Sequence, residues 1–243
     1  MLLLLSGAQA LVVAQQPLAL QFEAASIKPA ARDSRDRSIY DGRGMWKVRN
    51  LDVRSLIESA YDVLHEQIVS APSWIDSERY DIDARCEEIP ELSTAAVTER
   101  NLVRFRALLE DRFQLKAHRE TRESQTYILV APKWSGKLKP AQVVRDHYRR
   151  RGNSGHTEWE GASMEDLARF IAREVQKPVT NQTGIEGQYD FFLDFDRPEE
   201  AIRDGGKPSL FSALPDQLGL KLQSRKAPVE FLVIDHIERP TEN

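Results

Sequence analysis

The order of apolar and polar residues between positions 45 and 113 predicts two strands, each followed by a helix. Residues 45–49 alternate as a short strand, and Asp52 offers an N-cap to a helix that follows it. The apolar series of that helix is Val53, Leu56, Ile57, Ala60, Tyr61 and Leu64. Residues 79–84 alternate as a second strand. The second helix carries Leu102, Phe105, Leu108, Leu109 and Phe113.

Two further strands are predicted after this helix, at residues 115–119 and 127–130, joined by a polar turn at residues 120–124. The order of the first half is therefore β-α-β-α-β-β. The same order appears again from residue 157 to residue 236. Its strands are predicted at 157–160, 188–193, 220–222 and 231–234, its first helix at Met164, Leu167, Ile171 and Val175, and its second at Leu210, Ala213, Leu214 and Leu218. Ser163 and Asp166 have capping-box spacing at the first of these helices.

The dipeptide Tyr-Asp opens the corresponding strand in both halves, at positions 80–81 and 189–190. A shared dipeptide is a more specific sign of repetition than a shared periodicity, which any α/β chain could show. The offset between halves is 111 at Leu56/Leu167 and 104 at Tyr127/Phe231, and small loop deletions explain the drift. We therefore predict an α+β fold made of two copies of one unit, with helices packed on one face of each sheet.

The predicted organisation of the chain has five parts. Residues 1–14 (MLLLLSGAQALVVA) are typical of a secretory signal, with cleavage after Ala14 or, less favoured, after Ala10. The alternative is an N-terminal strand that stays in place. Residues 15–44 contain an extra strand, in which Leu18, Leu20, Phe22 and Ala24 alternate. Residues 45–135 form the first repeat and residues 157–243 form the second. Between them, residues 136–156 form a solvated linker with a basic cluster. We expect the mature chain to begin near Gln15 and to be periplasmic or extracellular.

Composition narrows the classes of partner. The 243 residues include 34 Lys and Arg and 38 Asp and Glu, which gives a net charge of -4. This charge argues against a nucleic-acid partner, because such a partner usually requires a basic surface. The one cysteine, Cys86, cannot form an internal disulfide. No apolar stretch after residue 14 is long enough for a membrane anchor, so we expect no stable membrane insertion after signal cleavage.

Several segments resemble a large family of exported proteins of unknown function that is numerous in soil Acidobacteria. They are residues 22–29 (FEAASIKP), 71–82 (APSWIDSERYDI), 111–116 (DRFQLK), 118–123 (HRETRE), 183–191 (TGIEGQYDF) and 233–243 (VIDHIERPTEN). The resemblance implies no known activity. Some relatives appear fused to membrane metallopeptidases like those that sense β-lactams, which implies a role in sensing.

A search for catalytic motifs identifies none. The five histidines lack the spacing of a zinc peptidase, and neither a Gly-x-Ser-x-Gly elbow nor a phosphate-binding glycine loop is present. We therefore predict no cofactor and no metal site. Asp235 and His236 are adjacent on a strand, where neighbouring side chains point to opposite faces, so a catalytic pair is not favoured.

The candidate binding residues are Trp74, Tyr80, Asp81, Arg112, Arg119, Tyr189, Asp190 and His236. Each has a structural alternative. The tyrosines and tryptophan would pack in the core, the aspartates would cap turns, and the arginines would form local ion pairs with neighbouring acids.

The favoured hypothesis is a non-enzymatic extracytoplasmic binding or interaction module that recognises an envelope protein or a small ligand. The alternatives are an unrecognised envelope hydrolase and a regulatory domain that acts with a membrane metallopeptidase. A deep pocket with converging Asp, His or Ser would favour the hydrolase, and an open groove or sheet edge would favour binding.

Overall fold

The structure is a computed structural model that describes residues 20–31, 36–42, 44–88, 90–132, 137–145, 147–153, 155–196 and 207–240. The predicted signal peptide lies outside these residues. In the described ranges the chain forms twelve strands in three sheets and four α-helices. This confirms the predicted α+β class.

The first half builds one four-stranded sheet and two helices. Its elements are β1 (Ala24–Pro29), β2 (Ser38–Gly42), β3 (Met45–Asp52), α1 (Val53–Tyr61), β4 (Ile68–Val69), β5 (Arg79–Arg85), α2 (Thr94–Arg112) and β6 (Lys116–Val130), with 3₁₀ turns at His65–Gln67 and Ser73–Asp76. The strand order of its sheet is β1-β5-β3-β2. Asp52 caps α1 as predicted, because its side chain accepts a hydrogen bond from the backbone N–H of Ser55.

The second half builds a sheet with a corresponding order. Its elements are β7 (Lys139–Pro140), β8 (Arg149–Asn153), β9 (His156–Ala162), α3 (Met164–Val175), β10 (Val179–Asn181), β11 (Tyr189–Asp194), α4 (Leu210–Ala213) and β12 (Lys221–His236). The π-helical turn Leu214–Leu218 continues α4. The sheet order is β7-β11-β9-β8, which places each strand where its counterpart lies in the first half. The predicted capping box at Ser163 and Asp166 is present. Descent of the halves from one unit stays a prediction, which superposition of residues 45–131 on 157–236 would measure.

The third sheet joins the two halves. Its order is β10-β6-β12-β4, so the two long strands β6 and β12 form an antiparallel ribbon in its centre. The short strand β4 of the first half pairs with β12 of the second, and β10 of the second half pairs with β6 of the first. Each half therefore supplies one short edge strand, which pairs with the long strand of the other half.

The prediction of two short strands at the end of each unit is wrong. Residues 116–130 form one continuous strand, and so do residues 221–236. The polar stretch at 120–124 resembles a turn in sequence, but it is the solvent-exposed middle of a ribbon whose two ends reach different cores.

The hydrophobic pattern also missed partner strands. It contained no prediction of β2 or of β8, which pair with β3 and β9 as hairpins. The stretch 136–156, which we predicted to be a linker, contains β7 and β8. The extra strand predicted from the alternation of Leu18, Leu20, Phe22 and Ala24 is displaced, because β1 begins only at Ala24 and residues 20–23 are not part of a strand. Leu18 lies outside the described residues.

Two separate hydrophobic cores lie under the outer sheets. Leu56 and Ala60 of α1 are fully buried in the first core, and Leu167 and Ile171 of α3 are fully buried in the second. These are the helix faces that the apolar spacing predicts. Leu232 and Ile234 of β12 lie in the first core, whereas Leu129 of β6 lies in the second. The ribbon therefore carries apolar side chains from each half into the core of the other.

Two ion pairs connect the halves at the ends of α1 and α3. Arg173 donates to Asp62 at 3.0 Å, and Lys177 pairs with Glu66. Both pairs join positions 111 residues apart, the same offset as Leu56 and Leu167. An acid in one half thus faces a base at the matching position of the other. Within the described part of the chain, no helix is both long and apolar enough to cross a membrane.

Candidate functional site

The repeated Tyr-Asp dipeptide holds a β-bulge in front of the first helix of each half. In β3 the bulge residue Asn50 has a left-handed backbone (φ 51°), and its N–H donates to Oδ1 of Asp81 at 2.8 Å. A non-glycine residue in this conformation needs such support, because the conformation is sparsely populated. Asp81 therefore has a structural role: it supports the backbone of Asn50, which lies two residues before the N-cap of α1.

The second half uses the same arrangement with glycine. Gly161 has φ 69°, and its N–H donates to Oδ1 of Asp190 at 2.8 Å, while Oδ2 of Asp190 accepts from the backbone of Gln142 at 3.0 Å. The preceding Tyr189 is half-buried, and its hydroxyl donates to the carbonyl of Glu186. The repeated aspartate therefore has the same structural contact in both halves, whereas the two tyrosine hydroxyls have different partners. The sequence signal that was missed is an Asn or Gly two residues before each helix cap.

A cluster around Glu78 brings together two of the predicted residues, Trp74 and Tyr80. The Arg239 guanidinium donates to both carboxylate oxygens of Glu78, at 2.6 to 3.0 Å, and lies 4.9 Å from the centre of the Trp74 ring. The Tyr80 hydroxyl donates to Glu78 at 3.2 Å. We call these four residues the Glu78 cluster. Glu78 and Arg239, which are 161 positions apart, are not among the residues that the sequence predicts.

The C-terminal segment is positioned for this cluster by the end of α2. The backbone N–H of Glu238 donates to the carbonyl of Phe113 at 2.7 Å, and the Tyr80 ring packs edge-on against the Phe113 ring at 5.5 Å. The hydrogen bonds from Arg239 lower the pKa of Glu78, so this carboxylate stays ionised at neutral pH. The cluster is thus a fixed cation–carboxylate pair stacked on an aromatic ring.

Beside the cluster lies an open concavity of about 530 Å³. Its wall is formed by residues 29–31 at the end of β1, by Asn50 and by residues 77–80. Arg79 is exposed at this wall, and none of the ion pairs found among the described residues involves it. Within the described residues, the concavity therefore presents Arg79 as a cation with no carboxylate partner, next to a rigid polar cluster. We call it the Tyr80 concavity.

The remaining predicted residues lie elsewhere and form polar contacts of their own. Arg112 contacts Asp111 at 2.9 Å, and Arg119 pairs across the ribbon with Glu230 and donates to the carbonyl of Tyr61. His236 contacts Glu238 at 2.9 Å. The structure does not bring these residues to the Tyr80 concavity. The Arg112–Asp111 pair is of the local kind that the structural alternative describes, whereas Glu230 is a partner of Arg119 that the sequence did not indicate.

Asp235 pairs with His118 of the neighbouring strand, not with His236. Nδ1 of His118 lies 2.8 Å from Oδ2 of Asp235, and Asp235 also lines a second concavity of about 460 Å³ beside Tyr61. A histidine oriented by a carboxylate is one part of a hydrolase triad. Among the described residues, however, no Ser, Thr or Cys side chain forms a hydrogen bond with His118. Nor do the described residues contain a group of three or more His, Cys, Asp or Glu that could hold a metal ion.

Two tyrosines beside these concavities should ionise only in strong alkali. Burial, with a smaller effect of Glu78, raises the pKa of Tyr80 to about 12, and burial with Glu110 raises the pKa of Tyr61 to about 12. The ordinary value is about 10. Because the folded-state pKa is raised, the stability that depends on the neutral phenols is complete below pH about 10 and is lost as the pH rises toward about 12.

We expect the phenolate absorbance of the folded protein to show this delay. The difference between the titrations of wild type and Tyr80→Phe should rise near pH 12, and Tyr61→Phe should give a second difference in the same range. A difference curve with its midpoint at the ordinary tyrosine value would contradict the burial of that hydroxyl.

The chain matches the model of a known protein family. Residues 54–237 match the model of a family described as "Protein of unknown function (DUF3738)". The matched region runs from the second residue of α1 to the residue after β12, so it covers the second half and the part of the first half that follows β3. No curated protein and no solved structure matches the chain.

Proposed function

We propose that this chain, which belongs to the DUF3738 family of proteins of unknown function, is a non-enzymatic extracytoplasmic binding or interaction module. The observation that carries the proposal is the convergence of Trp74, Glu78 and Tyr80 with the C-terminal Arg239 at the edge of the Tyr80 concavity. These groups come from two distant parts of the chain and are held in one geometry.

The size and chemistry of the concavity support binding. Its volume of about 530 Å³ falls within the roughly 300 to 1,000 Å³ of small-molecule sites. Its polar groups are ordered before any ligand arrives, because Glu78 accepts hydrogen bonds from both Arg239 and Tyr80. Preorganised groups lose less entropy on association. Since the charge of Arg239 is matched by Glu78, Arg79 is the cation left to meet a ligand. We therefore infer a small ligand or envelope protein that presents an acidic group.

The extracytoplasmic part of the proposal is supported by residues 1–14, which have the apolar run and small-residue end of a secretory signal. A regulatory role beside a membrane metallopeptidase is a variant of the same proposal, since such a domain would also act by binding. In soil Acidobacteria, where we expect relatives, the envelope would supply the partner.

Capture from envelope extract of the native host tests the proposal. Tagged residues 15–243 should retain a component whose yield falls about tenfold or more for Arg79→Ala, the loss typical of a binding hot spot. Arg85→Ala is the matched control, because Arg85 is an exposed arginine on the same strand that does not line the concavity. We expect this control to bind like wild type.

Two results would count against the proposal. If Arg79→Ala and wild type retain the same components in equal amounts, the Tyr80 concavity is not the binding site. If neither retains any protein or small molecule above the level of an unrelated tagged protein, the binding function itself is refuted.

A further inference from the structure

A second, much smaller cavity lies beside Cys86 and contains two arginines of α2 that are one helical turn apart. Arg104 is only 7% exposed, and its Nη1 donates to Oδ1 of Asn101 at 3.1 Å. The Nε atoms of Arg104 and Arg100 are both buried and have no hydrogen-bond partner. Both side chains line the cavity, together with Asn101 and the thiol of Cys86. Residues four apart on a helix are neighbours, so the two guanidiniums share this space.

Within the described residues, neither guanidinium has a carboxylate at ion-pair distance. None of the ion pairs found within 4.0 Å among the described residues involves Arg100 or Arg104, although Glu87 also lines the cavity. A buried cation without a partner is strongly unfavourable, and two neighbouring cations repel each other in addition. An anion between them would satisfy the orphaned Nε donors and offset the repulsion.

The size of the cavity restricts the identity of the anion. The space that a water-sized sphere can occupy is about 10 Å³, close to the minimum of roughly 10 to 15 Å³ for one water molecule. A phosphate, a sulfate or a carboxylate with its carbon atoms needs several times this space. Chloride is only slightly larger than a water molecule, so a monatomic halide is the anion whose size comes closest to this space. Asn101 accepts hydrogen bonds from Arg104 and from the Cys86 thiol, so it holds the arginine beside this space.

We propose that Arg100 and Arg104 bind a halide, chloride under physiological conditions, in the cavity beside Cys86. The ion is a structural counterion for α2 and lies apart from the Tyr80 concavity. Its presence does not depend on the proposed binding function. It ties the stability of the first half to the concentration of chloride around the protein.

Thermal unfolding at constant ionic strength tests the proposal, with sodium chloride replacing sodium gluconate, whose anion is too large for the cavity. A ligand that binds only the folded state stabilises it in proportion to the logarithm of its concentration. We expect the melting temperature to rise by about 3 to 5 °C for each tenfold increase in chloride above the dissociation constant.

Variants separate a specific site from a general salt effect. Arg104→Met should lose the chloride dependence, whereas Arg112→Met, which removes one charge from the same helix outside the cavity, should keep it. If Arg104→Met fails to fold, Arg100→Met at the half-exposed partner position gives the same measurement. Crystals of the wild type grown in bromide should show an anomalous peak between the two guanidiniums.

Three results would overturn the proposal. They are equal melting temperatures in chloride and gluconate, a chloride dependence that survives Arg104→Met or Arg100→Met, and bromide crystals without an anomalous peak at this position. If the bromide crystals show a water molecule at this position and no anomalous peak, the cavity is hydrated and holds no ion.

Discussion

Replacing Trp159 with alanine is expected to lower the free energy of unfolding by about 3–5 kcal/mol. Trp159 is 2% exposed and lies in the middle of the second core. Its ring stacks between Tyr148 and Phe191, at 5.1 and 5.5 Å, and meets the Phe170 ring edge-on at 5.1 Å. The substitution removes all three ring contacts and leaves a cavity that the sheet cannot fill by small movements.

Chemical denaturation of wild type and Trp159→Ala measures this loss. Phe192→Ala is the control, because Phe192 is an aromatic residue of the adjacent strand β11 whose side chain is 58% exposed. Its loss should change the free energy of unfolding by no more than about 0.5 kcal/mol. Losses of similar size for the two variants, or a loss below about 1 kcal/mol for Trp159→Ala, would show that Trp159 is not packed as described.

The features that the sequence predicted correctly are those determined within a few residues. The buried faces of α1 and α3 and their caps at Asp52 and Ser163 follow from helical spacing and from side chains three positions apart. The sequence predicts these helix faces and caps because residues within a few positions of each other determine them.

The features that the sequence missed depend on distant pairing. The middle of β6 is polar because it is exposed between two cores, and only the antiparallel register with β12 shows that it is a strand. The same register brings His118 to Asp235, whereas the sequence alone places Asp235 beside His236. The Glu78–Arg239 pair likewise requires the C-terminal segment to return to β5.

The exchanged short strands make the two halves interdependent. Without β12, residues 15–135 lose the partner of β4 and two side chains of the first core, Leu232 and Ile234, which are 2% and 4% exposed. Without β10 and the second core, Leu129 of β6 becomes exposed. Truncating one buried Leu or Ile costs about 2 to 5 kcal/mol, and a domain is stable by about 5 to 15 kcal/mol in total. The lost contacts are thus comparable with the whole stability of the fragment.

We therefore expect residues 15–135 and residues 136–243, prepared separately, to show no cooperative thermal unfolding transition and poorly dispersed amide resonances. Mixed in equal amounts, they should recover both signals, because β4 and β10 can pair with the opposite fragment as they do in the intact chain. The full chain should unfold in one transition by circular dichroism and by tryptophan fluorescence. A cooperative transition in either isolated fragment would show that its half folds without the exchanged strand, and so would two separate transitions in the full chain.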